Sequence, residues 1–295
     1  MKTYILLFLM LWFGFTLFGQ NQQNIIDWIE IKTNIDIKKM EKQPDGTFQM
    51  SSKEITNAQY CDFLNEMGIN PNDSSIVWKV REYNSTWFSY NNESSEFTET
   101  TIDSRKRLVT YGNNDIQIHH INGQWIPKTI EIVSEDDMSV ILINLENHPM
   151  INVSWYGAKA FCDFYGYRLP TEEEWEFAAR LGNQKVNENT YSGKTRRNKI
   201  GDVAWYLENS NLPGNSHLES GARTHAVGTK APNRIQLYDM SGNVWEWTSS
   251  LKDIYYIFRG GSWSEWKGSC SVDYNQGKGL PEFRDYDLGF RVCKE

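Results

Sequence analysis

Two acidic residues, Asp239 and Glu246, flank a Ser-Gly-Asn sequence that is typical of a turn. After the turn the chain alternates Trp-Glu-Trp around Glu246, and on an extended segment this alternation places both indoles on one face and the carboxylate on the other. Two carboxylates and the carbonyl groups of Gly242 and Val244 form the set of hard oxygen ligands that Ca²⁺ prefers. The spacing therefore predicts a calcium site, and an aromatic core strand with solvated acids is the alternative for the same pattern.

Three helices with clear capping signals are predicted to position this stretch. The signals are Thr56 with Gln59, Ser154 with Gly166 at the other helix end, and Thr171 with Glu174. In the third helix, Trp175, Phe177 and Ala178 are predicted to pack inward. We assign this helix a structural role and no chemistry.

The middle of the chain, residues 72–147, carries fewer signals, and its role is open. Strand-like runs are predicted at 107–111, 116–121 and 124–126, and Asn122-Gly123 between the last two indicates a hairpin. Earlier in the chain, residues 25–37 favour a strand, and residues 149–155 are predicted as a strand that enters the second helix. His119 and His120 are an incidental pair, because neighbouring residues of a strand face opposite ways.

The composition and the N-terminus bound the class of protein. The 295 residues carry a net charge of −8 and no basic run, which argues against a nucleic-acid partner. Residues 1–19 have the pattern of a signal peptide, with Lys2 before an apolar run and a small residue, Gly19, at the cleavage point. There is no Cys near Gly19, so the sequence does not support a bacterial lipoprotein anchor. We expect an exported bacterial protein, periplasmic or secreted, without a membrane span after signal cleavage; an uncleaved anchor is the alternative.

Four motifs in the second half of the chain occur in a characteristic order: RLPTEEEWEFAAR at 168–180, LYDMSGNVWEWT at 237–248, RGGSW at 259–263 and LGFRV at 288–292. With a weaker fifth, EITNAQYCDFLN at 54–65, they resemble the sulfatase-modifying-factor family, whose type member is the formylglycine-generating enzyme. The resemblance implies one domain over residues 25–295. It implies an irregular α+β fold, an elaborated C-type-lectin-like core with short helices, small antiparallel sheets and many loops.

The resemblance also implies a chemistry for the strand after the calcium turn. Catalytic members of the family oxidise a sulfatase Cys to formylglycine with O₂, using Cu(I) held by two Cys thiolates. Ser262 and Trp245 fall on active-site positions, and Cys270 falls on the second copper Cys. Glu265 stands where the first copper Cys is expected. Because a carboxylate is a hard ligand, it cannot replace a thiolate for Cu(I).

The expected function is therefore that of an exported, non-catalytic binding or accessory domain. Its partner is expected to be a protein or glycan, including a sulfatase as one candidate. The alternative is an active formylglycine-generating oxidase that uses copper. Position 265 discriminates between the two readings.

The four cysteines, Cys61, Cys162, Cys270 and Cys293, suggest disulfides in an exported protein, and four Cys allow three pairings. The resemblance implies that Cys162 is bonded to a Cys that follows the final Gly-Phe-Arg. Cys293 lies one residue late for that position, and on a strand such a shift turns the side chain to the other face. Cys61 therefore competes for Cys293, and the pairing stays open.

Overall fold

The computed structural model describes residues 26–33, 40, 42, 44–69, 89–91, 96–98, 117–133, 140–181, 191–193, 199–210 and 223–295. The signal-peptide prediction and the strand predicted at 107–111 lie outside these residues. In the described part the chain forms three α-helices, short strands and many loops. The predicted α+β class with short helices and small sheets is confirmed.

Two sheets build the part of the fold that carries the acidic turn. The first sheet has the order β1-β2-β13, with strands β1 (Trp28–Lys32), β2 (Thr47–Ser51) and β13 (Cys293–Lys294). The second has the order β11-β10-β9-β12, with strands β9 (Trp245–Lys252), β10 (Tyr255–Arg259), β11 (Lys278–Gly279) and β12 (Leu288–Phe290). Strand β12 pairs parallel to β9 and places Gly289 opposite Glu246. The motif at 288–292 is thereby held beside the motif at 237–248.

Three two-stranded hairpins form the middle of the described chain. They pair β3 (Ser89–Asn91) with β4 (Glu96–Thr98), β5 (Ile118–Ile121) with β6 (Gln124–Pro127), and β7 (Thr129–Val133) with β8 (Val140–Asn144). Asn122 and Gly123 join β5 to β6 with φ angles of 51° and 83°, as a tight hairpin turn requires. The predicted hairpin is confirmed.

The three helices begin and end where the capping residues predict. They are α1 (Asn57–Glu66), α2 (Trp155–Tyr165) and α3 (Glu172–Leu181). Thr56 and Gln59 form the capping box of α1, and Gly166 ends α2 in the left-handed conformation. The strand predicted at 149–155 does not form, because its only ladder contact is a single bridge from Pro149 to Thr56.

The buried apolar side chains of the described residues form three clusters. The largest surrounds α1 and α2, the second lies around α3 with Trp175 at its centre, and the third is small and contains Cys270. All four cysteines are buried free thiols, so the structure corrects the disulfide expectation. Each thiol is enclosed in an apolar cluster, and burial there raises its pKa, which disfavours the thiolate that disulfide formation requires. No helix in the described residues is long and apolar enough to cross a membrane.

Candidate functional site

A sharp turn at residues 241–243 contacts the loop that contains Trp205. Gly242 has φ +80°, and a Cβ on it would lie 2.0 Å from the carbonyl oxygen of Trp205. Only glycine fits this approach. The next residue, Asn243, donates its backbone N–H to the same Trp205 oxygen at 2.8 Å, so the loop at Trp205 is fastened to the turn.

Asn243 connects three separate segments through its side chain and its backbone. Its Oδ1 accepts the backbone N–H of His225 at 2.9 Å, and its Nδ2 donates to the carboxylate of Glu54 at 2.9 Å. Its backbone oxygen accepts the N–H of Trp263 at 2.8 Å. Asn243 is fully buried, so these bonds fix the turn in one conformation.

Glu246 lies on the opposite face of β9 from its two Trp neighbours, as the alternation predicts. Trp245 and Trp247 pack in the first cluster, whereas Glu246 points to Trp175 of the second. The Nε and Nη2 atoms of Arg291 each donate to one Glu246 oxygen at 2.6 Å, and Trp175 Nε1 donates at 2.6 Å. Both side chains of the Glu246–Arg291 pair are fully buried. Glu246 is therefore the centre of a buried ion pair and not a solvated acid.

Two further carboxylates lie close to this ion pair. Asp239 is buried, its Oδ2 accepts the Gly228 N–H at 2.7 Å, and its Oδ1 has no hydrogen-bond partner among the described residues. Burial, with a smaller contribution from the charge of Glu246, raises the pKa of Asp239 to about 6 against the effects of the Gly228 N–H and Arg291. Burial, Asp239 and Glu246 also raise the pKa of Glu54 well above its usual range. Glu246 thus bonds to the guanidinium of Arg291, and the charge of the same guanidinium acts on the buried carboxyl groups of Asp239 and Glu54.

Glu54 is the member of this cluster that the sequence pattern missed. Its Oε1 accepts the N–H of Val244 at 3.3 Å while its Oε2 takes the Asn243 amide. The only available signal was a Glu in the weak motif directly before α1. No local spacing relates it to the turn at residues 241–243, because 190 residues separate Glu54 from Val244.

The predicted calcium residues are close together but not equally available to an ion. Asp239, Gly242, Val244 and Glu246 lie on one turn and the strand that follows it, as the sequence predicts. The unpartnered Oδ1 of Asp239 fits a cation, whereas Arg291 already holds both oxygens of Glu246. In this arrangement Asp239 with backbone oxygens fits Ca²⁺ better than Glu246 does.

Ser262 and Ser264 bind a common carboxylate on the loop before β12. Their Oγ atoms donate to Oδ2 of Asp287 at 2.5 and 2.7 Å. The backbone oxygen of Asp287 in turn accepts the N–H of Trp245 at 2.8 Å. Burial, and then the charges of Asp285 and Glu265, raise the pKa of Asp287 to about 6 although the serine hydroxyls oppose the shift. Asp287, which the sequence analysis did not single out, joins Ser262 to Trp245.

Cys270 lies beneath this group. Its Sγ is 3.7 Å from the carbonyl oxygen of Ser262, and a Cβ on Gly261 would come within 2.8 Å of that sulfur. Burial and the charge of Glu265 raise the pKa of the Cys270 thiol to about 12. Glu265 itself accepts the Ser269 hydroxyl at 3.0 Å. Ser262, Trp245 and Cys270 are therefore brought together, but the described residues place no second thiol beside Cys270, so a two-thiolate copper site does not fit.

Comparisons with known proteins identify the family of the chain. Residues 40–295 match the model of the sulfatase-modifying factor enzyme 1-like domain. Inactive C-alpha-formylglycine-generating enzyme 2 of Bos taurus is 38% identical over 156 residues, which cover 49% of this chain and 50% of that protein. Formylglycine-generating enzyme of Mus musculus is 26% identical over 273 residues, which cover 85% of this chain and 66% of that protein. The chain thus spans from half to just under two-thirds of the length of these relatives.

Solved structures support the fold alone. Treponema denticola variable protein 1 superposes with a TM-score of 0.50 at 19% identity, over 90% of this chain and 94% of that one. The crystal structure of CarF superposes with a TM-score of 0.51 at 22% identity, over 92% of this chain and 98% of that one. With the match over residues 40–295, the chain belongs to the sulfatase-modifying factor enzyme 1-like family and has its C-type-lectin-like fold.

Proposed function

We propose that this protein is a non-catalytic member of its family that binds a protein partner. The observation that carries the proposal is the single thiol at the copper position. Copper(I) is a soft ion that the family holds with two thiolates, and here Glu265 takes the place of one of them. Burial, Glu265 and Asp287 favour the neutral thiol of Cys270, whereas a copper ligand must be a thiolate.

The relatives support this proposal in part. A protein named as an inactive formylglycine-generating enzyme is 38% identical over about half of this chain. The name of the family model points to sulfatases as the class of partner. We therefore propose a sulfatase or another protein as the partner, with a glycan as the alternative.

The test is oxidation of a Cys-x-Pro-x-Arg peptide by the purified protein with Cu(I) and O₂. Because one soft ligand is missing, we expect no aldehyde product above the level formed by free copper. Mass spectrometry of the peptide measures the product. Aldehyde above the free-copper level, and its loss in Cys270→Ser, would show that the protein is an oxidase after all.

We also propose that Ca²⁺ binds at the turn through Asp239 and the carbonyl groups of Gly242 and Val244, whereas Glu246, the fourth residue of the predicted set, is already held by Arg291. The support is the unpartnered Asp239 oxygen and the excess of buried negative charge. An ion that binds only the folded protein stabilises it, so we expect a chelator to lower the melting temperature. Asp239→Ala should abolish the chelator effect. Equal melting curves with and without chelator, together with no calcium by elemental analysis, would contradict the proposal.

Export is proposed from residues 1–19, which have a positive start and an apolar run. Cleavage after Gly19 would give a mature protein that begins near Gln20. N-terminal sequencing of the protein from a bacterial culture fractionated into cytoplasm, membrane and periplasm measures both points. Full-length chain with Met1 intact in the membrane fraction would support an uncleaved anchor instead.

A further inference from the structure

Asp287 is a buried carboxylate with one oxygen left unbonded. Only 5% of the residue is exposed, and both serine hydroxyls that bond to it use the same oxygen, Oδ2. Among the residues that the structure describes, no donor reaches Oδ1, and no Lys, Arg or His forms an ion pair with Asp287. Oδ1 is also not among the fully enclosed polar atoms without a partner, so solvent reaches it. A carboxylate this deeply buried is ordinarily paired with a cation.

The surroundings of Asp287 are themselves negative. Asp285 and Glu265 both act on it as like charges. Glu265 belongs to the same loop as Ser262 and Ser264. A positively charged group would relieve the repulsion between these acids.

The kind of cation follows from the same residues. No group of three or more His, Cys, Asp and Glu side chains in the described ranges is arranged to hold a metal ion. A single free carboxylate oxygen suits a side chain with several N–H donors, because charge-assisted hydrogen bonds to a carboxylate are strong and directional. The geometry therefore favours an organic cation over a metal.

We propose that Asp287 binds a basic side chain, a guanidinium or an ammonium group, of the protein partner. Ser262 and Ser264 position the carboxylate by occupying Oδ2, so that Oδ1 is presented to the ligand. This inference rests on the proposed function, since it assigns to a binding role the Ser and Trp positions that the family's oxidases use for catalysis. It gives the partner a basic residue at the point of contact.

The experiment is calorimetric titration of the full protein with three short capped peptides, Gly-Arg-Gly, Gly-Lys-Gly and Gly-citrulline-Gly. Citrulline has nearly the shape of arginine without its charge. We expect the arginine or the lysine peptide to bind about 10-fold or more tightly than the citrulline peptide, which is the scale of one charge-assisted hydrogen bond. The two charged peptides distinguish a guanidinium ligand from an ammonium ligand.

Two variants test whether Asp287 causes the preference for the charged peptides. Asp287→Asn keeps an oxygen for the serines and should remove the preference for the charged peptides. Asp253→Asn is the matched control, because Asp253 is exposed in the β9–β10 turn at a φ of 58°, which Asn tolerates, and it should leave the preference unchanged.

Equal binding of all three peptides by the unaltered protein would overturn the proposal, and this comparison holds even where Asp287→Asn fails to fold. A preference that survives in folded Asp287→Asn, or that Ca²⁺ or Mg²⁺ abolishes by competition, would also overturn it. The peptides contain no Cys, so the outcome is independent of any oxidase activity.

Discussion

Glu265→Cys is expected to create a Cu(I) site. The substitution supplies a second thiol near Cys270 and removes the carboxylate whose charge opposes ionisation of that thiol. Two thiolates suit Cu(I), whereas a thiol and a carboxylate do not. We expect affinity for Cu(I) to rise by about 100-fold or more, which corresponds to about 2.7 kcal/mol. Competition with a chromophoric Cu(I) chelator under anaerobic conditions measures the change.

Ser264→Cys provides the control for this experiment. It adds a thiol one position earlier, at a side chain that points to Asp287 through a bond of 2.7 Å. Because the Ser264 side chain bonds to Asp287 and does not stand at the family's copper position, the gain in Cu(I) affinity of this variant should be far smaller. Equal gains in both variants would show that any added thiol suffices and that position 265 has no special relation to Cys270.

Arg291→Met is expected to produce the largest loss of stability among single substitutions at the site. It leaves the carboxylate of Glu246 fully buried, with the Trp175 N–H as its one remaining donor among the described residues, next to Asp239 and Glu54. Removing one partner of a buried ion pair costs about 3–5 kcal/mol, because the other charge is left uncompensated. Denaturant unfolding followed by Trp fluorescence measures the free energy of unfolding.

Arg168→Met is the matched comparison. Arg168 also holds a Glu with two bonds, at 2.7 and 2.8 Å to Glu174, but its side chain is 32% exposed. A pair screened by water contributes about 1 kcal/mol or less. Similar losses in the two variants would show that burial does not decide the strength of these pairs. Arg291→Lys keeps the positive charge but cannot donate to both Glu246 oxygens as the planar guanidinium does, so its loss of stability should lie between those of the other two variants.

The sequence predicts the elements whose signals are local. The capping box at Thr56 and Gln59 and the Asn122-Gly123 turn depend on neighbours within a few residues. The start of α1 and the β5–β6 hairpin can therefore be predicted without knowing which distant segments they contact. The two faces of β9 are predicted for the same reason, since alternation around Glu246 needs only an extended backbone. What Glu246 contacts is not local, and Arg291 lies 45 residues further on.

The parts of the site that the sequence does not predict are those made by distant segments. Glu54 reaches Val244 across 190 residues, and Asp287 reaches Ser262 across 25 through an irregular loop. The spacing of such residues in the sequence does not predict which distant loops contact each other. The disulfide expectation is wrong for a related reason, because an even count of Cys does not reveal that all four thiols are free and buried in the packed interior.

The sheet β1-β2-β13 has a consequence for how the chain reaches its native state. Arg291 donates to the backbone oxygen of Ser51 across 240 residues of sequence, and β13 then pairs with β2. Such a contact carries a large loop-closure entropy and forms only after β13 has been made, whereas β2 is synthesised early. Chains dominated by distant pairings fold slowly. The edge of β2 that β13 later covers is therefore unpaired during synthesis, and an unpaired strand edge is exposed to aggregation.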